Sequence, residues 1–321
     1  MAEPTVDCLC VGVIVADHVC APIDHLPAAG ELVPTDKLDL TIGGCAANVA
    51  VDLAKLGVSV GVVGVVGQDV FGQYVKEALT RCGVDCRHVR VSPTAQTSGT
   101  LIINVKGEDR RFIHAVGANA ELTGKEVTEQ MLRRCRVLYV GGYCLAENLS
   151  PEHVSELFRQ ARAVGVRTVL DVVLPGPSDY WPKLRPVLPF TDVFLPNDDE
   201  ARLITGENDP VKQAEAFREA GARTVVITCG EKGTVLLSDQ NRVRAGVNRV
   251  EFVDGTGSGD AFDAGYIFGL LQGEDELQCL RLGSALGASC VRAVGATTGV
   301  FTASELEEFL RSHDLPISSL D

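Results

Sequence analysis

The fold is decided by Val6-Asp7-Cys8-Leu9-Cys10-Val11-Gly12-Val13-Ile14-Val15, a run that is apolar at nearly every position. A strand with one wet face alternates apolar and polar residues. A strand apolar throughout is buried on both faces, the situation of parallel sheets covered by helices. Similar runs recur at Val58–Val66, Val137–Val140, Thr168–Val173, Asp192–Leu195 and Thr224–Thr228. Amphipathic segments alternate with them and predict helices over Ala46–Lys55, Gly72–Arg81, Pro151–Ala163, Asp198–Ile204, Val211–Ala220 and Asp260–Leu271. The alternation predicts an α/β fold with a doubly wound, mainly parallel sheet between helices. Ser304 and Glu307 are spaced as a capping box for a last helix over Ser304–Arg311.

Two stretches break this rhythm. Cys20–Leu40 has few helix signals and ends in the alternating Lys37-Leu38-Asp39-Leu40. Thr97–Val116 reads as a hairpin, with Thr100–Val105 and Arg110–His114 about a turn at Lys106–Asp109. Both suit half-exposed antiparallel strands that pair into one small β lid over a cleft, or into a dimer contact. The expected organisation is an α/β domain of residues 1–16, 41–96 and 117–321, with a lid of residues 17–40 and 97–116 inserted in it. There is no internal repeat, low-complexity tract or flexible linker.

The 321 residues are 45% hydrophobic and 22% charged, which excludes a disordered chain. Twenty-nine Lys and Arg against 43 Asp and Glu leave a formal charge of −14. A surface this acidic repels phosphate backbones and anionic lipids, so neither nucleic acid nor membrane is an expected partner. A local backbone site for a small anion stays possible. The start, MAEPTVDCLC, has neither basic flank nor apolar core of a signal peptide, and no long apolar run predicts a membrane span. Eleven scattered cysteines, several inside apolar runs, read as buried reduced thiols in a cytoplasm. Cys82 and Cys86 have zinc-like spacing but no second pair.

The sharpest chemical signal is Asp254-Gly255-Thr256-Gly257-Ser258-Gly259-Asp260-Ala261-Phe262. Alternating glycines let successive N–H groups point at one spot, and a helix starts there, so the loop suits an anion, above all a phosphate. A carboxylate at its edge, Asp260, is poorly placed to bind phosphate. It is well placed to take the proton of a hydroxyl attacking that phosphate. Alone, such a loop also reads as a plain helix start. A Walker loop and a dinucleotide fingerprint both fail on spacing. A second signal, Thr41-Ile42-Gly43-Gly44-Cys45-Ala46-Ala47-Asn48-Val49-Ala50, lets backbone approach a ligand, with Asn48 on the first helical turn able to bond hydroxyls. A close-packed helix start is the other reading.

Together these two segments resemble the two signatures of the PfkB family of sugar and nucleoside kinases, with a ribokinase-like fold. Further matches follow in order along nearly the whole chain: Val11-Gly12 with Asp17-His18, Leu56-Gly57, Val62–Asp69, Phe71-Gly72, Asn197-Asp198-Asp199-Glu200 and Thr228-Cys229-Gly230-Glu231-Lys232-Gly233. The resemblance implies an ATP-dependent carbohydrate kinase in which Asp260 is the catalytic base. Gly257, Ser258 and Gly259 would form the anion hole, and Asp17, Gly43, Gly44 and Asn48 would hold substrate hydroxyls. Asn197, Thr228, Gly230 and Gly233 would line ATP, with Glu200 holding Mg²⁺ through water. Asp254 and the carbonyl of Thr256 match the K⁺ site of many members. A homodimer through the lid is also implied.

Plainer readings stand beside these. Asp17 suits a turn cap, Asn197 and Glu200 a helix start, and Thr228–Gly233 an ordinary turn. His114 suits either a place facing the sugar or the lid surface and its packing, Trp181 packing, and Asp171 either the cleft or the scaffold. Ribose kinases of the family carry Asn at the position of Val15 and Lys at that of Cys45, so ribose is weakened as the substrate. Asp171-Val172-Val173 lacks the Asn and Arg that suit a sugar acid, and no basic cluster near Asp17 marks a sugar phosphate. Fructose, another hexose or a nucleoside remain, and so does a ligand-sensing relative without chemistry.

Overall fold

The computed structural model describes residues 6–108 and 110–320. Residues 1–5 of the expected α/β domain, Asp109 of the expected hairpin turn and Asp321 lie outside the described residues. The strands are β1 Cys8–Gly12, β2 Val15–Cys20, β3 Leu38–Gly43, β4 Val60–Gly67, β5 Asp85–Ser92, β6 Gly99–Ile103, β7 Arg111–Ala115, β8 Val137–Tyr143, β9 Arg167–Val172, β10 Val193–Phe194, β11 Thr224–Thr228, β12 Thr234–Leu237, β13 Arg242–Ala245 and β14 Ile317–Ser319. The helices are α1 Cys45–Lys55, α2 Val70–Arg81, α3 Glu129–Leu132, α4 Pro151–Ala163, α5 Trp181–Leu184, α6 Asp198–Thr205, α7 Pro210–Glu219, α8 Ser258–Gln272, α9 Glu276–Cys290 and α10 Ala303–Ser312.

A ten-stranded sheet runs in the order β14-β13-β12-β11-β10-β9-β8-β1-β4-β5. Every pairing from β5 across to β11 is parallel. The pairings among β11, β12, β13 and β14 are antiparallel. The double burial read from the sequence is visible in β1: Cys8 and Cys10 pack into the core on one face, Leu9 and Val11 into the core on the other. Because β1 lies between β4 and β8, the chain reverses its direction of progress at the C-terminal end of β1. That is where open α/β sheets form a crevice.

The apolar run Val6–Val15 is not one strand. It crosses the end of β8 at Gly12, where φ is 149° and a Cβ would meet the Gly141 carbonyl at 2.0 Å. The chain then leaves the sheet, and Val15 opens β2 in a second, four-stranded sheet of order β3-β2-β6-β7. Its β2–β3 and β6–β7 ladders are antiparallel and its β2–β6 ladder parallel. One row across all four strands is Thr41–Asp17–Thr100–His114, and the next is Leu40–His18–Leu101–Ile113.

The last helix is capped by Thr302 and Glu305 rather than Ser304 and Glu307, so it begins at Ala303. Thr302 N–H donates to Glu305 Oε2 at 2.8 Å, closing the turn one residue pair earlier. Helix α9 has no expectation in the sequence reading, because its small residues blur the apolar stripe. It packs on α8 at backbone contact. A Cβ on Gly265 would meet the Leu282 carbonyl at 2.5 Å, and one on Gly269 the Cys279 sulfur at 2.7 Å. Glu276, in its first turn, accepts from Thr224, Ser238 and Asn241 and ties α9 to the sheet.

Candidate active site

Among the described helices of eight residues or more, six have a side-chain cap or capping box. Only α1 and α8 have neither. Both start on a glycine at positive φ, Gly44 at 89° and Gly257 at 78°. These two starts face each other: Asn48 Nδ2, on the first turn of α1, donates to Asp260 Oδ2, on the first turn of α8, at 2.8 Å. Gly44 is required by packing, since a Cβ there would meet the Val13 carbonyl at 2.5 Å. Gly43 admits Asp17, whose Oδ2 would lie 2.0 Å from a Cβ. A Cβ on Gly257 would meet the Ala296 carbonyl at 2.3 Å, but one on Gly259 would meet nothing within 4 Å. The Ser258 N–H donates to the Gly255 carbonyl at 3.3 Å within the loop, and no side chain caps the first turn of α8, so the positive end of the helix dipole lies uncovered, a setting that suits an anion.

Acidic side chains gather behind this opening. Burial raises the Asp260 carboxyl above the usual range, while Asn48 and Cys45 hydrogen bonds pull it back. Asp171, at the end of β9, accepts from Gly142 N–H at 3.0 Å. Burial, then the charge of Asp260, pushes it up to about 7. Asp17 is pushed up to about 6 by burial, eased by a Thr100 hydrogen bond and raised again by Asp260. Asp263, buried deeper on α8, accepts from Tyr139 Oη at 3.0 Å. An acid-lined pocket with one carboxylate at an anion cradle can bind hydroxyls and accept a proton from one of them.

On the other side of the cradle, Asn197 caps α6, taking Glu200 N–H on Oδ1 at 2.8 Å, while Glu200 Oε2 takes Asn197 N–H at 3.0 Å. The helix-start reading and the ligand reading therefore apply to the same pair. Asn197 also bridges Thr228, the last residue of β11. Burial and the charges of Asp171 and Asp260 raise the Glu200 carboxyl, which puts it within the field of the acidic pocket. A Cβ on Gly230 (φ 55°) would meet open space, whereas one on Gly233 (φ 88°) would meet the Ala245 carbonyl at 2.0 Å, so the adjoining strand holds that position to glycine.

The sequence pattern of the pfkB family carbohydrate kinases matches residues 6–303. A ribokinase of Haemophilus influenzae is 31% identical over 308 residues, covering 94% of this chain and 97% of that protein. The chain belongs to the pfkB family of carbohydrate kinases. The crystal structure of a Thermotoga maritima ribokinase superposes with a TM-score of 0.80 at 25% identity, covering 96% of this kinase and all of that chain. An Arabidopsis thaliana ribokinase, solved with ribose and ATP, shares the fold at TM-score 0.81 and 24% identity, covering 98% of this kinase and 100% of that chain.

In the kinase Asp254 and Thr256 sit within a set of hydrogen bonds. Asp254 Oδ1 accepts from Thr256 N–H (3.0 Å), Thr256 Oγ1 (2.8 Å) and Arg110 Nη1 (3.2 Å), and Oδ2 accepts from Gly295 N–H (3.0 Å). The Thr256 carbonyl accepts from the Cys290 thiol at 3.2 Å. These donors hold the Asp254 carboxyl below its usual range despite partial burial. Asp254 Oδ2 and the Thr256 carbonyl each take a single donor, and the Cys290 thiol is shared with the Ala296 carbonyl at 3.1 Å.

Several contacts around the candidate site go beyond the sequence reading. Arg110 reaches from the loop before β7 to the anion-hole loop, a contact that nothing in either motif announces. Cys45 lies between Asp260 and Asp171, although a cysteine in an apolar helix start reads as packing. His114 is half-buried, and its Nδ1 lies 3.0 Å from Thr100 Oγ1, in the same row as Asp17. That register sets it on the same face of the second sheet as Asp17. Trp181 packs against Phe217 with ring centroids 5.7 Å apart, as expected.

Proposed function

We propose that this kinase transfers the γ-phosphoryl group of ATP to a primary hydroxyl of a small sugar or sugar-like alcohol, with Asp260 as the base. The Asn48–Asp260 contact carries this reading, because it sets the one carboxylate at the cradle beside a hydroxyl-binding amide. The alcohol gives its proton to Asp260, and its oxygen attacks the phosphorus in line. The bond to the β-phosphate breaks, and ADP leaves. The N–H groups of Gly257, Ser258 and Gly259 steady the charge on the transferring group. Asp17, Gly43, Gly44 and Asn48 hold acceptor hydroxyls. Asn197, Thr228, Gly230 and Gly233 line the nucleotide. Mg²⁺ offsets phosphate charge when bound, and Glu200 and Asn197, joined through their backbone N–H groups, would hold it through water.

The second sheet is the lid. Arg110 supports this, since it joins the sheet's hairpin to the catalytic loop. Leu101 and Ile113, paired across β6 and β7 and 40% and 63% exposed, support a homodimer through its outer face. No helix of the described residues is long and apolar enough to cross a membrane. With eleven free thiols, a cytoplasmic site and neither nucleic-acid nor membrane partners fit best.

The relatives favour a sugar, but buried Val15 and Cys45 offer no ribose-type contacts, so a hexose leads and a nucleoside is the rival acceptor. ADP release with Mg-ATP over pentoses, hexoses, sugar acids, sugar phosphates and nucleosides tests this, with Asp260→Ala as control. One strong acceptor, lost in the variant, is expected. ATP binding without turnover on any acceptor would turn the reading to a ligand sensor.

A further inference from the structure

Cys45, Asp171 and Asp260 each offer one ligand atom, and the three atoms lie within 4.8 Å of one another. They come from three elements, α1, β9 and α8, so the cluster is built by the fold rather than by a local run. Cys45 and Asp171 are each 8% exposed. The charges are uncompensated: among the described residues no lysine or arginine is a partner of either carboxylate. A second observation points to a ligand. Asn48 is 4% exposed, and its Oδ1 has no hydrogen-bond partner. The same amide holds Asp260 through Nδ2, so that lone acceptor borders the cluster.

We propose that Cys45, Asp171, Asp260 and the Asn48 amide oxygen form an inhibitory site for a thiophilic divalent cation, Zn²⁺ or Cd²⁺. One thiolate and three oxygens suit a tetrahedral ion of this class, with bonds of about 2.3 Å to sulfur and 2.0–2.2 Å to oxygen. Donors around such an ion stand about 3.3–3.8 Å apart, so small side-chain rotations close the cluster. Mg²⁺ prefers oxygen ligands and keeps its water, so Mg-ATP does not compete for the thiol. On binding, the S–H bond breaks, the metal–sulfur bond forms, and the proton goes to solvent. No electron is transferred. The ion takes the Asp260 lone pair that an acceptor hydroxyl needs, so inhibition is competitive with the acceptor and not with ATP. This last consequence rests on Asp260 as base; the binding itself does not.

The test is titration of the ligand-free protein with Cd²⁺ in thiol-free buffer, following the ultraviolet charge-transfer band of a cadmium–thiolate bond. The wild type should saturate a tight site at one equivalent, and Zn²⁺ should displace the band. Cys45→Ala should lose that first equivalent, leaving only weaker binding at exposed thiols such as Cys82. Asp171→Asn should weaken it at least tenfold, and it serves alone if circular dichroism shows Cys45→Ala unfolded. Identical titrations of wild type and both variants would overturn the proposal. Zn²⁺ inhibition that ignores acceptor concentration, with the Cd²⁺ site intact, would instead overturn Asp260 as base.

Discussion

The starts of α1 and α8 use the same device to different ends. Each begins on a positive-φ glycine without a side-chain cap, and the two meet at Asn48 and Asp260. The start of α1 is closed: Cys45, Ala46 and Ala47 are buried, and Gly44 abuts the Val13 carbonyl. The start of α8 is open: Gly259 is exposed and has free space about it. The starting glycine is required by packing in both, since a Cβ on Gly257 would meet the Ala296 carbonyl at 2.3 Å; the difference lies at Gly259, two residues into α8, where a Cβ would meet nothing. Either motif read alone would not distinguish the two.

The largest effect should come from the open start. Asp260→Asn should cut kcat by about 10³-fold or more, with binding of a nonhydrolysable ATP analogue retained in calorimetry. A variant within tenfold of wild type would remove Asp260 from the base role.

The paired glycine test breaks or sharpens the contrast itself. Gly44→Ala forces a strained backbone, at about 1–3 kcal/mol, and a clash besides, so the melting temperature should fall by several degrees. Gly259→Ala adds a better helix former in open space, worth about 1 kcal/mol. Its melting temperature should hold or rise while kcat drops by about tenfold or more as the methyl group crowds the anion. Equal melting losses in both variants would erase the distinction.

Acidity probes the pocket between the starts. Since the base must be ionised and burial raises it, activity should fall with pH above the range of an ordinary carboxylate. Asp260 raises Asp171, and like-charge repulsion is mutual, so Asp171→Asn should move that acid limb to lower pH. Stability gives a second reading. The folded Asp171 carboxyl keeps its proton up to about 7, whereas an unfolded aspartate loses it near 3.9. Between those values the folded form holds the extra proton, so raising pH costs stability. Asp171→Asn should therefore gain in melting temperature over wild type from pH 4 to 7 and keep a constant lead above. A lead that shrinks as pH rises would contradict the burial argument.

The smallest effect belongs to Arg110. A partly exposed ion pair is worth about 1 kcal/mol or less, so Arg110→Ala should leave the melting temperature within a degree or two. If it latches the lid, substrate-independent ATP hydrolysis should rise a few-fold as water enters. Unchanged hydrolysis would leave the pair without a role in closure.

The parallel sheet was legible because doubly buried strands carry an unbroken apolar signal. The same signal ran on through Val13–Val15, and only the backbone crossing at Gly12 divides sheet from lid. Asp260, Asn48 and the glycines were legible because their spacing has few other uses. Asp171 and His114 each carried two readings, and the reach of Arg110 carried none. Each depends on contacts between distant segments, and no local pattern encodes those.

The glycine contacts between α8 and α9 leave those helices no slack, and Glu276 fastens α9 to the sheet. Asp260, the proposed base, therefore sits on a helix packed at backbone contact, while Asp17, proposed to hold hydroxyls, and its neighbours Thr100 and His114 sit on a separate sheet. Acceptor preference can drift in descent through changes in that sheet without retuning the geometry of transfer. One catalyst can in this way serve many alcohols in turn.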